Sequence, residues 1–135
     1  MNNDFMTALA TGLESAKNTA YNKSQIDNKI IQISEMIFEG TNKKVELVLQ
    51  RDKSHNATIV GDIVHKALVK PAGTDEPGRY ITTLIVNDKT GFPVIIESSG
   101  NRYHCSSLEE MDLAFAEIVQ SLPVANIIYH VMEKY

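Results

Sequence analysis

The sequence predicts an α+β fold in one domain: N-terminal helices, a central antiparallel sheet of four to five strands, and two C-terminal helices. Three observations carry this prediction. Residues 79–105, RYITTLIVNDKTGFPVIIESSGNRYHC, run through three β-branched and aromatic stretches separated by two turn-forming clusters. Apolar residues at both ends of the chain recur at spacings of three and four, the period of helices with one buried face. The length of 135 residues and the ordinary balance of 43% hydrophobic and 22% charged residues suit one packed domain rather than a disordered chain. The expected layout is a helical anchor and packing helix over 1–40, the sheet over 43–105 and two helices over 107–134.

The anchor helix starts at Asn2, Asn3 or Asp4, each a good N-cap. It carries Met6, Leu9, Leu13, Ala16 and Ala20 as an a/d stripe two heptads long. Around that stripe lie Ala8, Ala10, Thr11, Gly12, Ser15 and Thr19, which bury little area themselves but let a partner come close. Such a helix gains most by docking on a second copy of the chain. Asn22, Lys23 and Ser24 interrupt the stripe, and Ser24 with Asp27 has capping-box spacing. The next stripe is Ile26, Ile30, Ile33 and Ile37, with Gly40 as a natural stop. Either the helix breaks near Asn22, or one long helix presents two faces to two partners. The first arrangement is the one favoured here, with the second helix packed on the sheet.

Lys43–Arg51 reads as a strand, Arg51–His55 as a turn, and Asn56–Val60 as the start of another strand that Gly61 and Asp62 bulge or end. Ile63–Val69 fits a strand or a short helix before Pro71, and PAGTDEPG over 71–78 is a loop. In the strand at 80–86 both faces are fairly apolar, which predicts an inner strand covered on two sides. Asn87–Gly91 is a hairpin loop, because Asn and Asp bond their own backbone and Gly accepts positive φ. Phe92–Glu97 returns, with Pro93 confined to the first pair or an edge. Ser98–Asn101 turns again, and Arg102–Cys105 is the third strand. Ser107 and Glu110 form a capping box before the stripe Met111, Ala114, Phe115, Ile118 and Leu122. Pro123 opens the last helix.

The formal net charge of −4 argues against a surface that grips a DNA or RNA duplex. A single cysteine and an N-terminus without a secretory pattern point to a reducing cytoplasm, and no apolar run approaches the roughly 20 residues that span a bilayer. His104 and Cys105 are adjacent, so on a strand they point to opposite faces and do not make a nucleophile and its base. The thiol reads as buried and inert. The histidines at 55, 65, 104 and 130 lack the spacing of a zinc site. Glu109, Glu110 and Asp112 are explained by the dipole at a helix N-terminus. No phosphate loop, cofactor motif or catalytic constellation is present, so no enzyme activity, metal or cofactor is expected.

One grouping remains, made of Arg79, Tyr80, Phe92, Asn101, Arg102 and Tyr103 in or beside one hairpin system. Arginine forks hold phosphate and aromatic rings stack on bases, so such a set can bind a nucleotide without transforming it. The competing reading puts the aromatics in the core and pairs the arginines with carboxylates. Arg102 and Tyr103 face opposite sides of their strand, so both reach one ligand only at a turn or an oligomer seam.

The order of an N-terminal anchor helix, a central antiparallel sheet and two C-terminal helices resembles the phage-encoded Thoeris anti-defence sponges. That family sequesters cyclic ADP-ribose variants, and some members cyclic oligonucleotides, in pockets shared between protomers. The resemblance implies a homo-oligomer built through the helix from Asp4 to Tyr21. It also implies a pocket of arginine, asparagine and aromatic side chains, for which Arg51, Phe92, Asn101 and Arg102 are the candidates. It further implies action in the cytoplasm of the host cell. The alternative is a small acidic protein-binding inhibitor or immunity protein that blocks a partner enzyme. A secretion chaperone ranks last, because those proteins place a helix between two groups of strands.

Overall fold

A computed structural model describes residues 2–52 and 62–134. The expected strand start at Asn56–Val60, the end of the turn before it and the bulge at Gly61 lie outside the described residues.

The fold is α+β. Helix α1 (Asn2–Gly40) precedes strands β1 (Val45–Arg51), β2 (Asp62–Pro71), β3 (Arg79–Asn87), β4 (Gly91–Ser98) and β5 (Asn101–Cys105). Helices α2 (Leu108–Gln120) and α3 (Leu122–Met132) follow. The five strands pair antiparallel in sequence order, so β3 is central and every connection is local.

One expectation is corrected. The chain does not break near Asn22, because α1 runs as one helix of 39 residues, roughly 58 Å long. Ser24 lies inside it and caps nothing. The polar run at Asn22–Ser24 is there for tertiary bonds. Thr19 Oγ1 donates to the Lys89 carbonyl at 2.6 Å, Asn22 Nδ2 to the Thr90 carbonyl at 3.0 Å, and Lys23 Nζ pairs with Asp88 at 2.5 Å. These bonds clamp α1 onto the β3–β4 hairpin, whose own turn is held by Asn87 Oδ1 accepting from the Lys89 and Thr90 amides.

All three helices pack on one face of the sheet. Ile26 and Ile33 of α1 meet Val45 and Leu47 of β1, Ala67 and Val69 of β2, Leu84 and Val86 of β3, and Val94 and Ile96 of β4. Met111, Phe115 and Ile118 of α2 and Val124 and Val131 of α3 complete this core. Beyond Gly40, Thr41 closes α1 through Oγ1 to the Ile37 carbonyl at 2.8 Å and receives the Val45 amide at 3.1 Å. Lys29 pairs with Asp112 at 2.9 Å and ties α1 to α2.

The ambiguous Ile63–Val69 segment is strand, held between β1 and β3 by two full ladders. Strand β3 is the inner strand expected, with 81–86 buried, but helices cover only one of its faces. On the other face Val64, Ile85 and Ile95 stand in register across β2, β3 and β4. They are flanked by the pairs Glu46–Lys70 and Glu97–Arg102. A register shift opposite Ala67 and Leu68 leaves Ile81 unpaired within β3, so Ile81 joins Leu84 in the core where strict alternation would turn it away. Ser99 and Gly100, both at positive φ, make the β4–β5 turn that the sequence predicted. At the last two helices, Ser107 Oγ caps the Glu110 amide at 3.2 Å, and Pro123 lies in the first turn of α3.

The first part of α1 is not part of this core. Residues 3–18 are exposed throughout, a helical arm roughly 24 Å long. Phe5 is 68%, Met6 58% and Leu13 62% exposed.

Candidate functional site

The register places the sequence-predicted residues in three separate regions of one protomer. Arg51 ends β1 opposite His65, which stands opposite Leu84. Arg79 begins β3 five residues from Leu84, roughly 17 Å along the strand toward the other end of the sheet. Asn101 and Arg102 are on the opposite edge strand, β5, and exposed; the ladder puts Arg102 in line with Glu97, Thr83, Lys66 and Gln50, one residue from the row of Arg51, but Arg102 pairs with Glu97 at 3.4 Å on the face away from the helices. Arg79 stands opposite the core residue Val69, on the helical face. Phe92 and Tyr103 pack against the core. Phe92 shares its end of the sheet with Arg51, but β2 and β3 lie between them. One copy of the chain therefore does not bring the six together.

Arg51 does have neighbours of the right chemistry. It lines a pocket of about 300 Å³ with Lys23 and Asp27 of α1, His65 and Ile63 of β2, and Ile26 and Val86. The sheet register explains the convergence. Arg51, His65 and Leu84 are successive cross-strand partners, as are Ile63 and Val86, so their side chains rise from one face at one end of the sheet. Helix α1 crosses above them, and the hairpin clamp fixes its rotation so that Lys23 and Asp27 look inward. Lys23 is already bound to Asp88, while Arg51 has no ion pair among the described residues. Burial, and then the Arg51 guanidinium, hold His65 below the ordinary imidazole value, and Asp27 pulls the other way. His65 is thus neutral at pH 7 and becomes a further cation on acidification.

Lys23 and His65 were absent from the sequence-derived set. Lys23 read as part of a helix break. His65 lay in the segment that fitted strand or helix, so its register against Arg51 was not set. Only the pairing of β1 with β2 reveals that two cationic groups and an imidazole share one pocket.

Leu122, expected on the buried stripe of α2, instead begins α3 and is 71% exposed. Cys105 is buried, and burial together with Glu110 pushes its thiol up to about 11, so it stays protonated at neutral pH. His104 is exposed, pointing away from it. Among the described residues no three His, Cys, Asp or Glu side chains gather to hold a metal ion, and no single helix is long and apolar enough to cross a membrane.

A larger groove of about 530 Å³ opens between the second half of α1 and the two C-terminal helices. Ile33, Met36 and Ile37 line one wall and Phe115, Ala116 and Val119 the other, with the Lys29–Asp112 pair at the rim.

No protein-family model, no curated protein and no solved structure matches the chain.

Proposed function

We propose that the protein is a non-enzymatic binding protein that sequesters a small anionic ligand of nucleotide type, acting as a homo-oligomer joined through α1. The observation that carries this reading is the convergence of Lys23, Arg51 and His65 on one pocket. A guanidinium fork grips phosphate oxygens in two parallel bonds, an ammonium adds a point charge, and Ile26, Ile63 and Val86 give an apolar floor for a base or sugar. The pocket volume is at the lower end of the range used by small-molecule sites. A bound phosphate competes with Asp88 for Lys23. The lining residues offer groups that hold an anion and no hydroxyl or thiol to attack it.

The exposed arm supports the oligomer half of the proposal. A free helix of about 16 residues is marginal in water, and this one contains Thr, Ser, Asn and Gly at many positions. In this reading the biological setting is the host-cell cytoplasm, where a phage counter-defence sponge removes a cyclic ADP-ribose or cyclic oligonucleotide signal. The same arm is the one observation that favours the second reading, an inhibitor or immunity protein that docks on an enzyme.

A thermal-shift panel of cyclic nucleotides and ADP-ribose derivatives tests the proposal. Stabilisation by a member of the panel, weakened in Arg51→Ala, is the expected result. If no member of the panel moves the melting temperature, the sponge reading fails and the inhibitor reading takes its place.

A further inference from the structure

We propose that the apolar groove between α1, α2 and α3 receives the N-terminal arm of a second copy of this chain, and that the contact is head-to-tail. The inference rests on the reading that the protein associates through α1, and it names the surface that the arm meets. Two apolar surfaces on one chain are left open. One is the arm stripe of Phe5, Met6, Leu9 and Leu13, which stays exposed in its own protomer. The other is the groove of about 530 Å³. Ala8, Ala10 and Gly12 flank the stripe with small side chains, and a β-carbon at Gly12 meets nothing within 4 Å, so the arm can settle deep between two walls.

The rotation of α1 decides the symmetry. Leu9 on the stripe and Met36 in the groove are 27 residues apart, about seven and a half helical turns, which places them on opposite sides of the helix. The arm cannot reach its own groove, and two copies cannot exchange arms across a twofold axis, because each would have to lie on both sides of the other. Each copy therefore gives its arm to one neighbour and its groove to another, and such contacts build an assembly of three or more copies, a ring where the rotation closes.

Buried area favours this contact over arm against arm. The four stripe residues expose roughly 400 Å², and an equal area from the groove gives ~800 Å² per contact. In a ring each copy buries ~800 Å² of its own surface, its arm in one neighbour and its groove around another, twice what a single arm-to-arm contact takes from each copy. The ring also covers both open surfaces at once.

The test uses two variants of the full chain, Leu9→Cys and Ala116→Cys, with the buried Cys105 as a silent background. Ala116 is exposed, so its replacement leaves the helix packing intact. Oxidised together, the two are expected to cross-link between copies, while neither cross-links alone. The unmodified chain is expected at three or more copies by light scattering, and Ala116→Glu is expected to reduce it to one copy with unchanged circular dichroism of the folded domain. Cross-linking of Leu9→Cys with itself, a dimeric mass, or no cross-link in an assembled protein overturns the head-to-tail contact and leaves association through α1 standing. A monomer at micromolar concentration overturns both.

Discussion

The side-chain amide of Asn22 donates a hydrogen bond to the backbone carbonyl of Thr90 at 3.0 Å, across 68 residues of sequence. With Thr19 on Lys89 and Lys23 on Asp88, it holds a 39-residue helix against the tip of one hairpin. Polar residues that weaken a helix locally are here its attachment. Asn22→Ala keeps the helix, since Ala is the better helix former, and loses the bond. The expected cost is about 1 kcal/mol, a fall of a few degrees in Tm, with helical content unchanged. A gain in stability on that substitution would show that the clamp contributes nothing.

Gly91 starts β4 at φ +83°, and a β-carbon there would stand 2.9 Å from Asn22 Cβ and 3.4 Å from Ile26 Cδ1. Gly91→Ala therefore meets both backbone strain and the underside of α1. The expected loss is about 2 kcal/mol in chemical denaturation. Gly100 at φ +84° meets nothing within 4 Å, so Gly100→Ala carries the backbone penalty alone and costs less. Equal losses at the two positions would contradict the close approach of α1 to the hairpin.

The pH dependence follows from His65. The unfolded chain takes up its proton near the ordinary value of about 6.5, while the folded protein resists, chiefly through burial and then the nearby Arg51 guanidinium, against Asp27. Stability from neutral His65 is fully present above that pH and is lost as pH falls through the lowered folded value. His65→Gln flattens this part of a Tm-against-pH curve. Anion binding moves the other way. Protonated His65 joins Lys23 and Arg51, so affinity for a phosphate-bearing ligand rises on acidification in the wild type and stays flat in His65→Gln.

Much of the fold was legible because its signals are local. Asn87–Gly91 and Ser98–Asn101 turn where their residue types require, Ser107 with Glu110 opens α2, and Pro123 sits in the first turn of α3. The continuity of α1 was not legible, because the bonds that stabilise Asn22 and Lys23 inside a helix come from residues nearly seventy positions away. Ile81 shows the same limit, since its face is set by a register shift against β2. For the candidate site, the sequence offered Arg51 by type and place. Its companions Lys23 and His65 emerge only from the pairing of β1 with β2 and the crossing of α1. Grouping Arg79, Asn101 and Arg102 with Arg51 by residue type missed the sheet between them: Arg102 stands on the opposite edge strand and the opposite face from Arg51, and Arg79 about five residues further along the strands.

Arg51 and Arg102 then separate the two edges of the sheet as binding regions. Arg51→Ala removes an exposed guanidinium at the pocket and is expected to weaken ligand binding more than tenfold, about 1.5–3 kcal/mol, with Tm of the free protein little changed. Arg102→Ala breaks a half-exposed pair with Glu97 and is expected to change affinity less than twofold. Calorimetric titration of both variants with the ligand that shifts the wild type checks this. The reverse ranking would move the site to the β4–β5 edge of the sheet.

The most direct test of sequestration is recovery of the ligand. The purified protein is incubated with a stabilising cyclic nucleotide or ADP-ribose derivative, washed, denatured by heat, and the released small molecule is weighed by mass spectrometry. Sequestration predicts near-stoichiometric recovery of the unaltered ligand from the wild type and loss of most of it from Arg51→Ala. Recovery of a cleaved or otherwise altered product, or equal recovery from both proteins, would contradict it.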